Sequence, residues 1–244
     1  CNGHELVQMA LEQLLEMDDR DPSERAADPV EREFMVPAGN IDMTLAGINH
    51  LQWLLDIRDT KTGENLYPEV RRRVRDPKKV PEGYRFSSKI CELFGYFPSP
   101  ADNHVVDYIW CVEPEIYKDN SLAPYPVDNW FGGRDADAWK EIADKVTDKE
   151  SARDFIRQRR VGWMNLTIAR YMLTGTQKYV PALNMLNNGV IPNLDDDIVV
   201  EVPALIGPDG FKASAVGPLP DQIAPICTLH GQITNKAADA AATG

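Results

Sequence analysis

The segment that says most about the architecture is Ala46-Gly47-Ile48-Asn49-His50-Leu51-Gln52-Trp53. It joins two apolar runs, residues 41–48 and 50–57, which predict either two strands or one strand that enters a turn. Because Gly47 and Asn49 favour turns and close backbone approach, His50 is expected near the turn, within reach of a ligand. The alternative for His50 is a core histidine with its hydrogen bonds satisfied.

Outside this segment the chain predicts more helix than strand. A second hairpin is indicated by the apolar run 197–206, a turn at 207–210 and a returning strand at 211–216. Polar or proline-bearing stretches predict loops at 18–28 and 124–134. Helical spacing or composition marks the segments 4–17, 64–74, 87–94, 101–112, 136–146, 149–173 and 220–241. The expected fold is a single α+β domain over residues 1–244.

Composition and charge restrict the classes of function. The formal net charge of −12 argues against nucleic acid and anionic membrane surfaces as partners, because both would repel the chain. No apolar run approaches the roughly 20 residues needed to cross a bilayer, and the first residues lack the pattern of a signal peptide. Four scattered cysteines without a Cys-x-x-Cys pair indicate a reducing, cytoplasmic compartment, in which a thiolate can bind metal.

The candidate metal ligands are a cysteine and the few histidines. Cys1 directly precedes a predicted helix, whose dipole would lower the thiol pKa and favour the metal-binding thiolate. The alternative is that Cys1 is an incidental terminal residue. Imidazole is a common ligand of transition metals, and the histidines are His4, His50, His104 and His230.

Several motifs, in the right order, resemble those of family 4 glycoside hydrolases. Cys1-Asn2 before a helix, and residues 47–50 followed by Trp53, resemble the two metal-binding motifs of that family. Residues 98–108 are similar to its Ser-x-His-x-x-Glu-Tyr segment. Residues 187–194, 199–204 and 216–220 are similar to its C-terminal signature, in which Val-Glu-Val-Pro is the specific part. The resemblance covers most of the chain, and residues 18–40 look like an insertion.

The resemblance implies a fold, cofactors and a site. The fold would be the C-terminal domain of the lactate/malate dehydrogenase-like type, helix-rich with a small, mostly antiparallel sheet. Since no Gly-x-Gly-x-x-Gly motif opens a strand–helix unit here, an N-terminal Rossmann domain is expected before Cys1. NAD and a divalent metal such as Mn²⁺ would serve an oxidation–elimination–addition–reduction cycle that hydrolyses an O-glycosidic bond. The implied metal ligands are Cys1 and His50. Asn2 and His104 would contact the sugar, and either Asp107 or Tyr108 would be the base.

Further expectations concern the substrate, the assembly and the remaining polar residues. An unphosphorylated hexoside or uronide is expected, because Gly3-His4-Glu5 does not continue the pattern of the phospho-sugar members. A homodimer or homotetramer is expected. His4 would support a metal ligand, His230 would be structural, and Glu201 and Arg134 would be paired or solvated.

Two other functions are consistent with the sequence. A lactate/malate-type hydroxy-acid dehydrogenase would accumulate NADH and would need no metal. A non-catalytic remnant of the family would fold and assemble without turnover.

Overall fold

The computed structural model describes residues 2–17, 40–81, 83–99, 101–109 and 163–243, together with 140, 144, 147–148 and 150–151. Its helices are α1 (Asn2–Leu14), α2 (Tyr67–Arg73), α3 (Arg85–Phe94), α4 (Asp102–Tyr108), α5 (Trp163–Thr174) and α6 (Ala224–Thr243). Its strands are β1 (Ile41–Ile48), β2 (Leu51–Asp59), β3 (Pro98–Ser99), β4 (Lys178–Leu186), β5 (Val199–Gly207) and β6 (Gly210–Ala213). They form one antiparallel sheet in the order β3-β2-β1-β5-β4, with β6 paired to β5. The α+β class with an antiparallel sheet is therefore confirmed.

The first predicted hairpin is present and consists of two strands. β1 and β2 pair up to Ile48 opposite Leu51, so Asn49 and His50 form the turn. His50 has a φ of 59°, in the left-handed region that non-glycine residues rarely adopt. A Cβ at Gly47 would collide with the Leu51 carbonyl oxygen of the facing strand. The close pairing of the strands therefore requires a glycine at this position.

The two predicted hairpins join into one sheet through β1 and β5, with Gly47 opposite Glu201. Strand β4 had no sequence prediction, since Pro181 lies in its interior and proline lacks the N–H that a strand ladder uses. A register shift between Val180 and Leu183 accommodates the proline in the pairing with β5. The sheet is therefore larger than the two hairpins alone predict.

Helices cover both faces of the sheet. Leu45 and Leu54 pack with residues of α1 and α2 in one core cluster, whereas Ala46 and Trp53 pack with residues of α3, α4 and α6 in another. Because β1 and β2 supply both clusters, their sequences are mixed apolar runs without strict alternation. Among the described helices, none combines the length and the apolar character that a membrane span requires.

The predicted helices are found where the structure describes them, with shifted ends. The helix predicted for 101–112 is wrong at its C-terminus, because α4 ends at Tyr108 and Ile109 leaves the helical conformation. The returning strand of the second hairpin ends at Ala213, not at 216. The loop predicted for 124–134, the segment 136–146 apart from residues 140 and 144, residues 149 and 152–162, and the proposed insertion apart from Asn40 lie outside the described residues.

Candidate functional site

The turn between β1 and β2 is the centre of the candidate site, because it exposes His50 at the surface. The His50 backbone N–H donates to Oε2 of Glu201 over 3.4 Å. Glu201 lies on β5 and is only 7% exposed, and its backbone carbonyl accepts a hydrogen bond from Nε2 of Gln52. A buried carboxylate therefore supports the turn and helps to hold the left-handed conformation of His50.

Helix α4 and strand β4 contact this turn from two sides. The Tyr108 hydroxyl donates to the Asn49 carbonyl oxygen over 2.8 Å. One helical turn earlier, the His104 ring meets the His50 ring, with centroids 4.9 Å apart and ring planes at 88°. Nδ2 of Asn184 on β4 donates to Oδ1 of Asn49 over 3.1 Å. His104 and Tyr108 thus share a helix face, as their spacing predicts, and that face meets the turn.

Contacts at both ends hold α4 in place. Asp102 is buried and accepts hydrogen bonds from the Phe86 N–H (2.8 Å), the Ser87 N–H (2.7 Å) and the Ser87 hydroxyl (2.7 Å). These N–H groups belong to the first turn of α3, so a residue of α4 caps a different helix. At the other end, Nε2 of His230 donates to the Tyr108 carbonyl oxygen over 2.6 Å, and the two rings lie 5.0 Å apart. His230 therefore makes a structural contact.

Burial dominates the electrostatics of the site. It raises the pKa of the Glu201 carboxyl, although the His50 N–H acts against it. Burial also raises the pKa of the Tyr108 hydroxyl, and the charges of Asp107 and Glu201 act in the same direction. The pKa of His104 is lowered, first by burial and then by the neighbouring His50. At neutral pH the site therefore offers a neutral His104 imidazole and a protonated Tyr108 phenol.

The described residues contain part of a metal site. The ring nitrogens of His50 and His104 make no hydrogen bond within the described segments. Those segments contain no group of three or more His, Cys, Asp and Glu side chains placed to hold a metal ion. Cys1 lies outside them, and Asn2 is described only as the first residue of α1. Two imidazoles fit a divalent metal whose other positions are taken by a thiolate, water or sugar hydroxyls.

Some site residues were missed or misjudged from the sequence. Asn184 was not identified, because β4 itself was not predicted. Glu201 was expected to be paired or solvated near a strand end. It is not solvated, because it lies inside β5, buried beneath the His50 turn, where its carboxylate accepts the His50 N–H. The sequence feature that could have indicated this burial is a carboxylate inside an apolar run, because burying a charged group without a partner costs free energy. Asp107 is exposed beside Tyr108, and Arg134 lies outside the described residues.

Known proteins resemble this chain along most of its length. The family described as "Family 4 glycosyl hydrolase C-terminal domain" matches residues 45–244. An alpha-galactosidase from Bacillus subtilis is 26% identical over 212 residues, which cover 80% of this chain and 46% of the relative. A phospho-alpha-glucosidase, PagL, from Clostridium acetobutylicum is 26% identical over 195 residues, covering 71% of this chain and 41% of the relative. The chain thus spans somewhat less than half the length of these curated relatives.

Solved structures share the fold. The Bacillus subtilis protein lplD, assigned as a glucosidase, aligns with a TM-score of 0.67 at 20% identity and covers 100% of this chain and 55% of that one. A 6-phospho-alpha-glucosidase from gut microorganisms, in complex with NAD and Mn²⁺, aligns with a TM-score of 0.53 at 20% identity. That alignment covers 95% of this chain and 49% of the other. At these identities the likeness establishes a common fold and nothing finer.

Proposed function

The chain belongs to glycosyl hydrolase family 4, and we propose that it carries the metal- and sugar-binding part of a glycosidase. The match of the family's C-terminal domain to residues 45–244 carries this proposal. That range includes His50 at the hairpin turn and the α4 residues that contact it. The complete enzyme hydrolyses an O-glycosidic bond by oxidation, elimination, addition and reduction, with NAD held by a Rossmann domain outside residues 1–244.

The proposed metal ligands are Cys1 and His50. His50 is suited to this role because its ring is exposed while its backbone is held by Glu201 and its turn by Tyr108. When bound, the metal ion and NAD supply Lewis-acid polarisation of the sugar hydroxyls and a reversible acceptor of hydride. Asn2, next to Cys1 in the chain, is the proposed hydrogen-bonding contact to the sugar.

The proposed base, Asp107 or Tyr108, removes the proton from C2 of the sugar after C3 has been oxidised. Tyr108 donates its own proton to the Asn49 carbonyl, and its pKa is raised by burial, so it must lose this proton before it can accept another. A cation bound at His50 would favour that loss. Asp107 is exposed and adjacent to Tyr108 on α4. Exchange of the sugar C2 hydrogen with deuterated solvent distinguishes the two, since exchange stops in Asp107→Asn or in Tyr108→Phe, depending on which residue is the base.

The proposed substrate is an unphosphorylated hexoside or uronide. The matched relatives include an alpha-galactosidase as well as a phospho-alpha-glucosidase, so the family covers both neutral and phosphorylated sugars.

We also propose that the protein acts in the cytoplasm as a homodimer or homotetramer, with no nucleic acid or membrane partner.

A panel of nitrophenyl glycosides tests the activity in the full-length protein, with NAD, Mn²⁺ and a thiol reductant present. Neutral hexosides, uronides and their 6-phosphorylated counterparts are compared. The expected result is metal-dependent release of nitrophenol from one unphosphorylated class, lost in Cys1→Ser and His50→Ala. Full turnover in metal-stripped protein or in Cys1→Ser contradicts the proposal. Net accumulation of NADH from a hydroxy acid would instead identify a dehydrogenase.

A further inference from the structure

We propose that His104 is a second imidazole ligand of the metal held by His50. This inference rests on the proposed metal role of His50. It also changes the role of His104, which the family resemblance implied to be a contact to the sugar. The metal would then lie between the hairpin turn and helix α4, and each element would contribute one histidine.

The distance between the two rings fits a shared ion. A nitrogen ligand lies about 2.0–2.1 Å from a metal such as zinc, so the ring centroid lies roughly 3.2 Å from the ion. Two such rings at adjacent coordination positions have centroids roughly 4.5–5.2 Å apart. The observed separation between His50 and His104 is 4.9 Å. Their planes differ by 88°, so the rings are not stacked. A shared ion requires an in-plane nitrogen of each ring to face it.

The polar atoms of the pair also indicate a ligand. Within the described parts of the chain, neither ring has a hydrogen-bond partner, although His104 is half-buried. A polar group that loses water without gaining a partner costs free energy. A metal ion between the rings would use one lone pair from each.

The surroundings hold both histidines before any ion binds. Glu201 and Asn184 support the turn that carries His50. Asp102, the first residue of α4, lies two residues before His104 and is held by its hydrogen bonds to α3. A ligand pair held in place by contacts of this kind loses little conformational freedom when it binds.

A second imidazole changes which metal is preferred. Nitrogen ligands favour cobalt, nickel and zinc over manganese, because manganese has the lowest affinity of the divalent first-row metals for such sites. We therefore expect the 244-residue chain to bind Co²⁺ and Zn²⁺ more tightly than Mn²⁺. Loss of His104 should weaken Co²⁺ and Zn²⁺ binding more than Mn²⁺ binding.

Titration calorimetry of the metal-free chain with Co²⁺, Zn²⁺ and Mn²⁺ tests this without any turnover assay. His50→Ala and His104→Ala should each weaken Co²⁺ binding by about 10- to 100-fold or more. In the double variant the two losses should not add, because both rings bind one ion. His230→Gln is the matched control, since His230 contacts α4 without facing the ion, and its affinity should stay within about two-fold of the wild type.

The outcomes separate this inference from the function on which it rests. If His50→Ala weakens binding and His104→Ala does not, the shared-ion arrangement is overturned while the metal role of His50 stands. If neither variant weakens binding, both assignments fail. Imidazole nitrogen resonances with bound Zn²⁺ decide the case in which His104→Ala does not fold. Metal-induced shifts at both rings support the pair, and a shift at His50 alone overturns it.

Discussion

Replacing Asp102 with alanine tests how helix α4 is held against the hairpin turn. Asp102 is 2% exposed and accepts hydrogen bonds from the Phe86 N–H, the Ser87 N–H and the Ser87 hydroxyl. Alanine removes all three acceptor contacts at once. Two N–H groups at the start of α3 then lose their partner in a place that water reaches poorly, and His104 and Tyr108 lose the anchor of their helix.

The size of the effect follows from these contacts. Each buried N–H without an acceptor costs roughly 1–3 kcal/mol, and loss of a helix cap costs roughly 0.5–2 kcal/mol. Part of this destabilisation is offset, because the variant no longer buries a charge. Burial raises the pKa of the Asp102 carboxyl, so its charged form is costly to bury. We expect Asp102→Ala to lower the free energy of unfolding by about 2–4 kcal/mol. Asp102→Asn retains one oxygen acceptor and should lose only about 1–2 kcal/mol.

Urea unfolding, followed by tryptophan fluorescence and circular dichroism, measures both losses. Asp107→Ala is the matched control, because it removes an exposed carboxylate from the same helix and should change the free energy of unfolding by less than about 0.5 kcal/mol. A loss of less than about 0.5 kcal/mol in Asp102→Ala would refute the capping role. Equal losses in the alanine and asparagine variants would show that packing, and not the hydrogen bonds, is what Asp102 provides.

Three further changes probe other parts of the fold. Gly47→Ala should destabilise the chain by at least about 2 kcal/mol in urea unfolding, because the new Cβ meets the Leu51 carbonyl oxygen. At Gly63 a Cβ meets no atom, so Gly63→Ala should cost only about 1 kcal/mol, from its positive φ. Similar losses in the two variants would contradict this explanation. Asn187→Ala should lose about 2–4 kcal/mol by the same measurement, since its buried amide makes hydrogen bonds to four backbone groups, and a loss below about 1 kcal/mol would be inconsistent with that role. Burial raises the pKa of Cys227 from 9.0 to about 12, so the native state keeps a proton that the unfolded state releases. The contribution of the buried thiol to stability is complete below pH 9 and is lost as the pH rises towards 12. The stability advantage of the wild type over Cys227→Ala should therefore shrink by about 1.4 kcal/mol per pH unit in that window. A difference that does not depend on pH would show that the pKa of the thiol is not raised by burial.

Much of the local structure could be predicted from the sequence, because it depends on neighbouring residues. Gly47, Asn49 and the apolar runs around them predict two strands, or one strand that enters a turn, with His50 near the turn, and the structure contains two strands joined there as a hairpin. The spacing of His104 and Tyr108 places them on one face of a helix, as observed. The motifs around these residues also led to the family that matches residues 45–244. Such features follow from periodicity and turn chemistry within a few residues.

The tertiary structure alone decided which of these pieces meet. Strand β4 forms in spite of Pro181 because a register shift between Val180 and Leu183 accommodates the proline in the pairing with β5. Asn184, further along the same strand, then reaches the turn. Glu201 is buried because β5 pairs with β1 at that point. Asp102 caps a helix other than its own. Each contact joins segments far apart in sequence, and its free energy depends on packing and burial that no local pattern contains. The sequence by itself therefore determined the hairpin and its histidine, while the fold decided that a second histidine lies beside it.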